Sequence, residues 1–333
     1  MTDGQRRPTM QDVADRVGVS KALVSLVFRN QPGPSSATRE KVIEAAHELG
    51  YRVNRAAALM TAKRSHLLGV SALISNSFHA EVVEHLVEVA DDAGYEVVLG
   101  AVTSRNVEAR VVDTLLDFRC EGMLLLGPQL SNSALTTLGA QVPTVSIGRR
   151  VPGGVVDVVR ANDSKGIAQV VDHLSSLGHS QIAHVSGGRG VIAGDRRNGY
   201  LRAMRRHGLE AQSRVVDGDF TAESGAAAAT AMLADGLPTA VTCVNDPVAV
   251  GVIDTLRRAG VEVPGDVSVA GYDDSPLARL GHLDLTTVSQ SPVEQARVAI
   301  GALVSRLDDG RTDVETVVLE PELVVRSTTA PLD

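Results

Sequence analysis

From Leu67 onward, short apolar runs alternate with amphipathic segments, and no other feature constrains the fold of this chain as strongly. The runs cover 67–74, 95–102, 122–126, 144–147, 155–159, 182–185, 240–244 and 267–270. Short stretches that are apolar throughout are what strands covered on both faces require. Between the first two, Val82, Val83, Leu86, Val87 and Ala90 recur at helical spacing and mark one face of a helix. Strands alternating with helices imply parallel sheets flanked by helices on both sides. About ten such units exceed one comfortable sheet, so the pattern predicts two doubly wound lobes in an α/β architecture.

The first 66 residues have a different texture. Met10, Val13, Ala14 and Val17 recur at helical spacing, Gly18-Val19 interrupts them, and Ser20 is suited to cap a second helix. Leu23, Val24 and Val27 form the apolar face of that helix. Gln31-Pro32-Gly33-Pro34-Ser35 reads as a loop. Ser36 reads as the cap of a third helix that buries Val42, Ala46 and Leu49 and ends at Gly50. Three short helices with a tight glycine turn between the first two form a helix-turn-helix pattern. The second helix would carry Ser20, Lys21, Ala22, Ser25 and Leu26 outward, toward a major groove. On helix pattern alone, a plain three-helix packing module fits as well.

Charge tips the balance. The net charge is −8, yet residues 1–66 hold 11 Lys and Arg against 6 Asp and Glu, a net +5. Residues 67–333 hold 21 against 34, a net −13. A basic head on an acidic body suits a protein whose head alone meets a polyanion. Lys21, Arg29, Arg52, Arg55, Lys63 and Arg64 are candidates for phosphate contact, and together they predict salt-dependent binding.

In open parallel sheets, ligands bind at the carboxyl ends of the strands. That rule selects Ser75, Asn76, Ser77, Phe78 and His79 after the first run, and Pro128-Gln129 after the third. It also selects Asn245-Asp246 and Gly271-Tyr272-Asp273-Asp274. These groups are expected to converge on one cleft between the lobes.

Several stretches are held in common with a known family. Met10-Gln11-Asp12-Val13-Ala14, Gly18-Val19-Ser20 and Val24-Ser25 resemble the head of the LacI/GalR family of bacterial transcription regulators. Thr38-Arg39-Glu40-Lys41-Val42, Leu49-Gly50-Tyr51 and Asn54-Arg55 continue the likeness without a gap. It extends through the body in Leu177-Gly178-His179, Arg196 with Gly199-Tyr200, Gly218-Asp219-Phe220-Thr221, Asn245-Asp246, Gly251 and residues 267–274. The resemblance implies a helix-turn-helix DNA-binding domain over 1–53, a hinge helix within 54–66, and an effector-binding and dimerisation domain over 67–333. That last domain would be periplasmic-binding-protein-like, with lobe 1 taking about 67–161 and 291–319 and lobe 2 about 162–290 and 320–333. In the family the hinge helix folds when two subunits meet on DNA and wedges a leucine pair into the minor groove. Met60 stands at that leucine position here, Leu26 where an arginine is common, and Val53 where a proline is common. Methionine is a workable wedge, and leucine can pack on a thymine methyl.

By family position, Arg196, Asn245 and Asp273 are implied as hydroxyl-binding contacts, Phe220 as the stacking aromatic, and Gln290 as a contact at a lobe crossover. With Ser77, Phe78 and Gln129 these form the expected effector set. A cation, an amide and a carboxylate offer fixed partners for vicinal hydroxyls, and an aromatic face covers the C–H side of a sugar ring. Plainer roles stay open: Arg196 could pair with Asp195 or Asp163, Asp273 could brace its turn, and Phe220 could be core. With aromatics at only 2% of the chain, a nucleobase remains open beside a sugar or sugar derivative.

The expected function is therefore sequence-specific DNA binding, in the repressing sense, under allosteric control by a small molecule. One recognition helix reads half a site, so a homodimer on a near-palindromic operator is expected. The alternative, a solute-binding protein of the periplasmic sugar-receptor type, leaves the basic head unexplained. No G-x-S-x-G, P-loop or H-E-x-x-H occurs, and Gly187-Gly188-Arg189-Gly190 lacks dinucleotide spacing. The nine histidines are scattered, so no metal site, cofactor or catalysis is expected. Cys120 and Cys243 sit in apolar runs and read as buried thiols. No apolar stretch approaches membrane length and residues 1–7 lack a signal core, so the expected location is cytoplasmic.

Overall fold

The computed structural model describes residues 8–28, 31–52 and 63–332. Arg29, Asn54, Arg55 and Met60, and with them most of the expected hinge helix, lie outside the described residues. Two compact units divide between Ser65 and His66.

The first unit is helical. Helix α1 (Met10–Val17) starts where Thr9 and Asp12 bond reciprocally: Thr9 Oγ1 accepts from the Asp12 N–H at 3.3 Å, and Asp12 Oδ2 accepts from the Thr9 N–H at 2.7 Å. It stops at Gly18, whose φ of +74° is left-handed and whose N–H returns to the Ala14 carbonyl at 2.9 Å. Helix α2 (Lys21–Phe28) starts at Ser20, whose Oγ accepts from the Leu23 N–H at 3.2 Å. Helix α3 (Ser36–Glu48) is capped by Ser35, one residue before the expected Ser36. Both serines suit a cap; the extended backbone of Ser35 (ψ 159°) points its Oγ at the Thr38 N–H, 3.2 Å away. Val13, Ala14, Val24, Val27, Val42, Ala45 and Ala46 form the core, and the Phe28 and Tyr51 rings close one side of it at 5.5 Å.

The second unit follows the alternation read from the sequence. The chain runs through β1 (Leu67–Leu73), α4 (Ser77–Asp92), β2 (Glu96–Val102), α5 (Glu108–Asp117), β3 (Gly122–Leu126), α6 (Asn132–Gln141), β4 (Thr144–Ile147) and β5 (Asp157–Ala161). It then crosses into α7 (Asp163–Ser176), β6 (Ile182–Val185), α8 (Val191–Arg206), β7 (Arg214–Val216), α9 (Ala222–Asp235), β8 (Ala240–Cys243), α10 (Asp246–Arg258) and β9 (Ser268–Ala270). It continues through β10 (Thr287–Ser289), α11 (Pro292–Leu307), β11 (Thr316–Leu319) and β12 (Glu322–Val324).

Lobe 1 is built on a parallel sheet of order β11-β5-β4-β3-β1-β2. Lobe 2 is built on a parallel sheet of order β7-β6-β8-β9. An antiparallel ribbon of β10 and β12 joins it through bridges at Ala270–Thr286 and Asp273–Ser289. The chain thus passes between the lobes after β5, after β10 and after β11. Helices α4 and α11 cover one face of the first sheet, while α5 and α6 cover the other. Helices α9 and α10 cover one face of the second sheet, while α7 and α8 cover the other. Every residue of β3 and β4 is buried, which is why β3 appears in the sequence as an unbroken apolar run and β4 as an uncharged one in which Thr144 and Ser146 alternate with Val145 and Ile147.

One expected strand is displaced: the run at 155–159 pairs only from Asp157, and β5 continues to Ala161. Asp157 is fully buried and sets that start. Its carboxylate meets Arg306 Nε at 2.8 Å and Arg311 Nη2 at 2.7 Å, and accepts from the Glu315 N–H at 2.7 Å. The same contacts hold β11 beside β5. Among the described residues no helix is long and apolar enough to cross a membrane.

Candidate functional site

In the first unit, Ser20, Lys21 and Ala22 form the exposed leading edge of α2, with Ser25 and Leu26 half-buried one turn on and Val24 and Val27 facing the core. Ser20 Oγ accepts a backbone bond, so its hydroxyl proton remains available to donate. Lys63 is exposed. The arrangement presents a small polar edge behind which the helix is anchored, as major-groove insertion requires.

In the second unit, a cavity of about 290 Å³ lies between the lobes. It opens at the carboxyl ends of β1, β3 and β4 and of the lobe 2 strands, where the topology places it. Lobe 1 contributes a mostly apolar wall of Leu73, Phe78, Val82, Leu126 and Ile147. Lobe 2 and the crossover contribute Arg196, Asp219, Phe220, Thr221, Asp273 and Gln290. The Phe220 ring lies against Gly187, where an added Cβ would come within 2.7 Å of it, so glycine in that turn makes room for the ring.

Arg196 is the electrostatic centre. Its Nε donates to Asp163 Oδ1 at 2.8 Å and its Nη1 to Asp273 Oδ1 at 3.3 Å, with a further bond to the Val244 carbonyl. Its guanidinium carbon stands 3.7 Å over the centre of the Tyr272 ring. Asp273 Oδ1 also accepts from Gln290 Nε2 at 2.7 Å. Burial works against the Arg196 cation, but Asp163 and Asp273 more than offset it and hold its pKa above the ordinary arginine value. Burial raises the Asp273 carboxyl to about 8 against the opposing pull of Arg196, with Asp246 adding to the rise. Asp246, fully buried at the start of α10, accepts from the Ser275 N–H and hydroxyl and from the Thr287 hydroxyl, and so braces the turn that carries Asp273.

Of the expected effector set, Phe78, Gln129, Arg196, Phe220, Asp273 and Gln290 come together on the cavity wall. Ser77 and Asn245 do not. Asn245 is the cap of α10: its Oδ1 accepts from the Val248 N–H at 3.1 Å and its Nδ2 donates to the Phe220 carbonyl at 3.0 Å. Both ends of its amide are engaged within lobe 2. Ser77 opens α4 behind its cap Asn76. Arg196 takes Asp163, while Asp195 pairs with Arg150. The expected set omitted His79 and Gln295, which also line the cavity. His79 lay within the turn selected by the strand-end rule; Gln295 sits on α11 with no sequence signal.

Residues 9–54 match the family model described as bacterial regulatory proteins, lacI family, and residues 171–329 match that of the periplasmic binding protein-like domain. The chain is 31% identical to the HTH-type transcriptional regulator DegA of Bacillus subtilis (strain 168), over 98% of this chain and 99% of that one. It is similar to the lac repressor dimer bound to operator and the anti-inducer ONPF, with a TM-score of 0.82 and 29% identity over 98% of this chain and 100% of that one. A complex of the transcriptional regulator CelR with cellobiose aligns with a TM-score of 0.72 and 30% identity, over 97% and 100% of the two chains.

Proposed function

The chain belongs to the lacI family of bacterial regulatory proteins, and on that footing we propose that it is a repressor whose hold on its operator is set by a small carbohydrate in the interlobe cavity. It acts as a homodimer in the cytoplasm. Two copies of α2 enter successive major grooves of a near-palindromic site, roughly 34 Å apart. Ser20, Lys21, Ala22, Ser25 and Leu26 meet bases and phosphates there, with Lys63 and the residues Arg29, Asn54, Arg55 and Met60 adding backbone and minor-groove contacts. The ligand is held by Phe78, Gln129, Arg196, Phe220, Asp273 and Gln290.

The observation that carries this reading is the pairing of unlike walls. Fixed polar groups on Arg196, Asp273 and Gln290 face, across a gap of ligand size, a lobe 1 wall where Leu73, Phe78, Val82, Leu126 and Ile147 are interrupted by Asn76, His79, Gln129 and Gln295. A sugar has both faces. The ligand changes DNA affinity only by the difference in its affinity for the two lobe arrangements, typically 5–150-fold in all. Fluorescence anisotropy on labelled fragments from the promoter of its own gene tests this. We expect tight binding at low salt that weakens steeply with ionic strength. A monosaccharide or disaccharide that raises the melting temperature should also shift the DNA affinity. Failure to bind any duplex at low salt, or DNA affinity indifferent to every stabilising sugar, overturns the proposal.

A further inference from the structure

We propose that Glu108 and Arg149, neither of which lines the interlobe cavity, are positioning residues: they clamp the 128–130 turn through its N–H groups and its carbonyls and so hold Gln129 ready for the ligand. This rests on the effector reading of the cavity and adds to it the residues that set how firmly lobe 1 meets what enters.

The turn lies between β3 and α6, past the end of the sheet. The last sheet bond before it runs from the Gly127 N–H to the Ile147 carbonyl at 2.8 Å. Beyond that bond, backbone groups withdrawn from water need side-chain partners. The N–H groups of Gln129 and Leu130 both donate to Glu108 Oε2, at 2.6 and 2.9 Å. The carbonyls of Pro128 and Leu130 both accept from Arg149 Nη1, at 2.7 and 2.6 Å. Bonds to charged groups are stronger than bonds between neutral ones, so two side chains fix what the sheet does not. The clamp is itself anchored. Glu108 is the first residue of α5 and 7% exposed, and its charge meets the positive end of that helix. Its Oε1 accepts from Ser71 Oγ on β1 at 3.4 Å. The Arg149 carbonyl accepts from Ser146 Oγ on β4 at 2.9 Å, and its Nη2 donates to Asn132 Oδ1 on α6 at 2.7 Å.

Of the three residues so held, one serves the cavity. Pro128 is buried and Leu130 packs on the apolar cluster of α5 and α6, whereas Gln129 is exposed and lines the gap. Its amide offers both a donor and acceptors, so it can serve a neutral or an anionic ligand alike. A long side chain loses rotamer freedom when it grips a ligand; a backbone already fixed beneath it removes the further cost of ordering the turn. A buried carboxylate is costly unless it is bonded, and an apolar residue at position 108 would fill the space without that cost. What such a residue could not do is accept from the two N–H groups.

Two measurements on the full chain test the clamp. Hydrogen exchange, read by mass spectrometry on a peptide spanning 128–132, reports the turn without any ligand. Glu108→Ala should speed exchange there by at least about tenfold and leave the β3 peptide unchanged. Calorimetry with ribose, arabinose, glucose, galactose, maltose and cellobiose then reads the ligand side, on whichever sugar binds the parent chain most tightly. Gln129→Ala should weaken that sugar about tenfold and Glu108→Ala severalfold, at a temperature where circular dichroism shows both folded. The double variant should bind no more weakly than Gln129→Ala alone, because Glu108 acts through that side chain. Glu108→Gln keeps an acceptor for the two N–H groups and should restore most of the affinity. Should Glu108→Ala not fold, Arg149→Met, at a half-buried position, releases the turn from its carbonyl side and carries the same expectations. Unchanged exchange, parent affinity in Gln129→Ala or in the clamp-breaking variants, or losses that add in the double variant overturn the clamp and leave the effector reading standing. If none of these sugars binds the parent chain at millimolar concentration, the carbohydrate reading falls and the clamp with it.

Discussion

Arg196 carries more of lobe 2 than a ligand contact alone would. The cation sits 3% exposed between the carboxyl groups of Asp163 and Asp273, so removing it leaves Asp163 buried without its counter-charge and Asp273 without one of its donors. Arg196→Met is expected to cost about 3–5 kcal/mol, read as a fall in the urea midpoint of the full chain. A loss under about 1 kcal/mol would mean that the pair is not built as described. Lost ligand response in that variant would therefore be confounded with lost folding, and Asp273→Asn is the cleaner substitution. Asn Oδ1 can still accept from Gln290 and Arg196. Asp273 also makes stability depend on pH in a definite direction. Burial raises its carboxyl to about 8, above the roughly 3.9 of an unfolded aspartate. Across that window the folded chain holds a proton that the unfolded chain releases. Its contribution is complete below about pH 4 and is lost as pH rises through about 8. Asp246, raised by burial to about 6, acts in the same sense over the lower part of the window. The melting temperature should fall between about pH 5 and pH 8, and Asp273→Asn should flatten that fall. Parallel curves for variant and parent would refute the assignment.

Among the elements, the closest contact is that of α9 with α10. A Cβ on Gly251 would stand 1.9 Å from the Ala222 carbonyl oxygen, and one on Gly225 would stand 2.2 Å from that of Val248. The helices meet backbone to backbone, so Gly251→Ala must push them apart. The expected cost is roughly 2–3 kcal/mol, measured by denaturant unfolding; a neutral substitution would show that the helices can slide. Gly251 stood out in the sequence through a family likeness, but only the packing gives the reason. The same limit governs what else was legible. Strands β3, β4 and β6 were readable to the residue because burial on both faces keeps charge out of them, with only Thr144, Ser146 and His184 set among apolar residues. Strands β7, β10, β11 and β12 have three or four residues each; only Thr287 and Val288 of β10 are buried, the rest being half-buried or exposed, and none left such a run. In the site, Phe78, Gln129 and Asp273 were reachable because they follow strand ends. Asn245 follows one too, but a helix cap and a ligand amide look alike in sequence; here Val248 and Phe220 engage both of its ends and it is not among the residues lining the cavity. Gln295 was illegible: what singles it out is an oxygen without a partner, which only the surrounding fold defines.

For the molecule as a whole, regulation depends on how strongly the two lobes prefer one arrangement before any ligand arrives. Among the described residues, two ion pairs bridge them. Arg150, after β4, grips Asp195 on α8 through Nη2 at 2.8 Å and Nε at 3.0 Å. Arg279, in the segment after β9, reaches Glu81 on α4 at 2.5 Å. Asp195 and Glu81 stand next in sequence to the lining residues Arg196 and Val82, so both pairs close as the cavity closes. Arg279 also donates to the Asp274 carbonyl, so its removal would disturb the turn holding Asp273. Arg150 has no such second duty among its described bonds and is the better probe. Exposed pairs of this kind contribute about 0.2–1 kcal/mol, far too little to hold the lobes shut but enough to bias a balanced equilibrium. A ligand gripped by both lobes binds the closed form, so its apparent affinity scales with the fraction already closed. Arg150→Ala should therefore weaken a cavity ligand by roughly two- to fivefold at low salt, as measured by calorimetry. In about 0.5 M salt, where screening has already loosened the pair, variant and parent should converge. A difference that persists at high salt would mean that Arg150 touches the ligand itself, and no difference at either salt would mean that closure does not depend on this bridge.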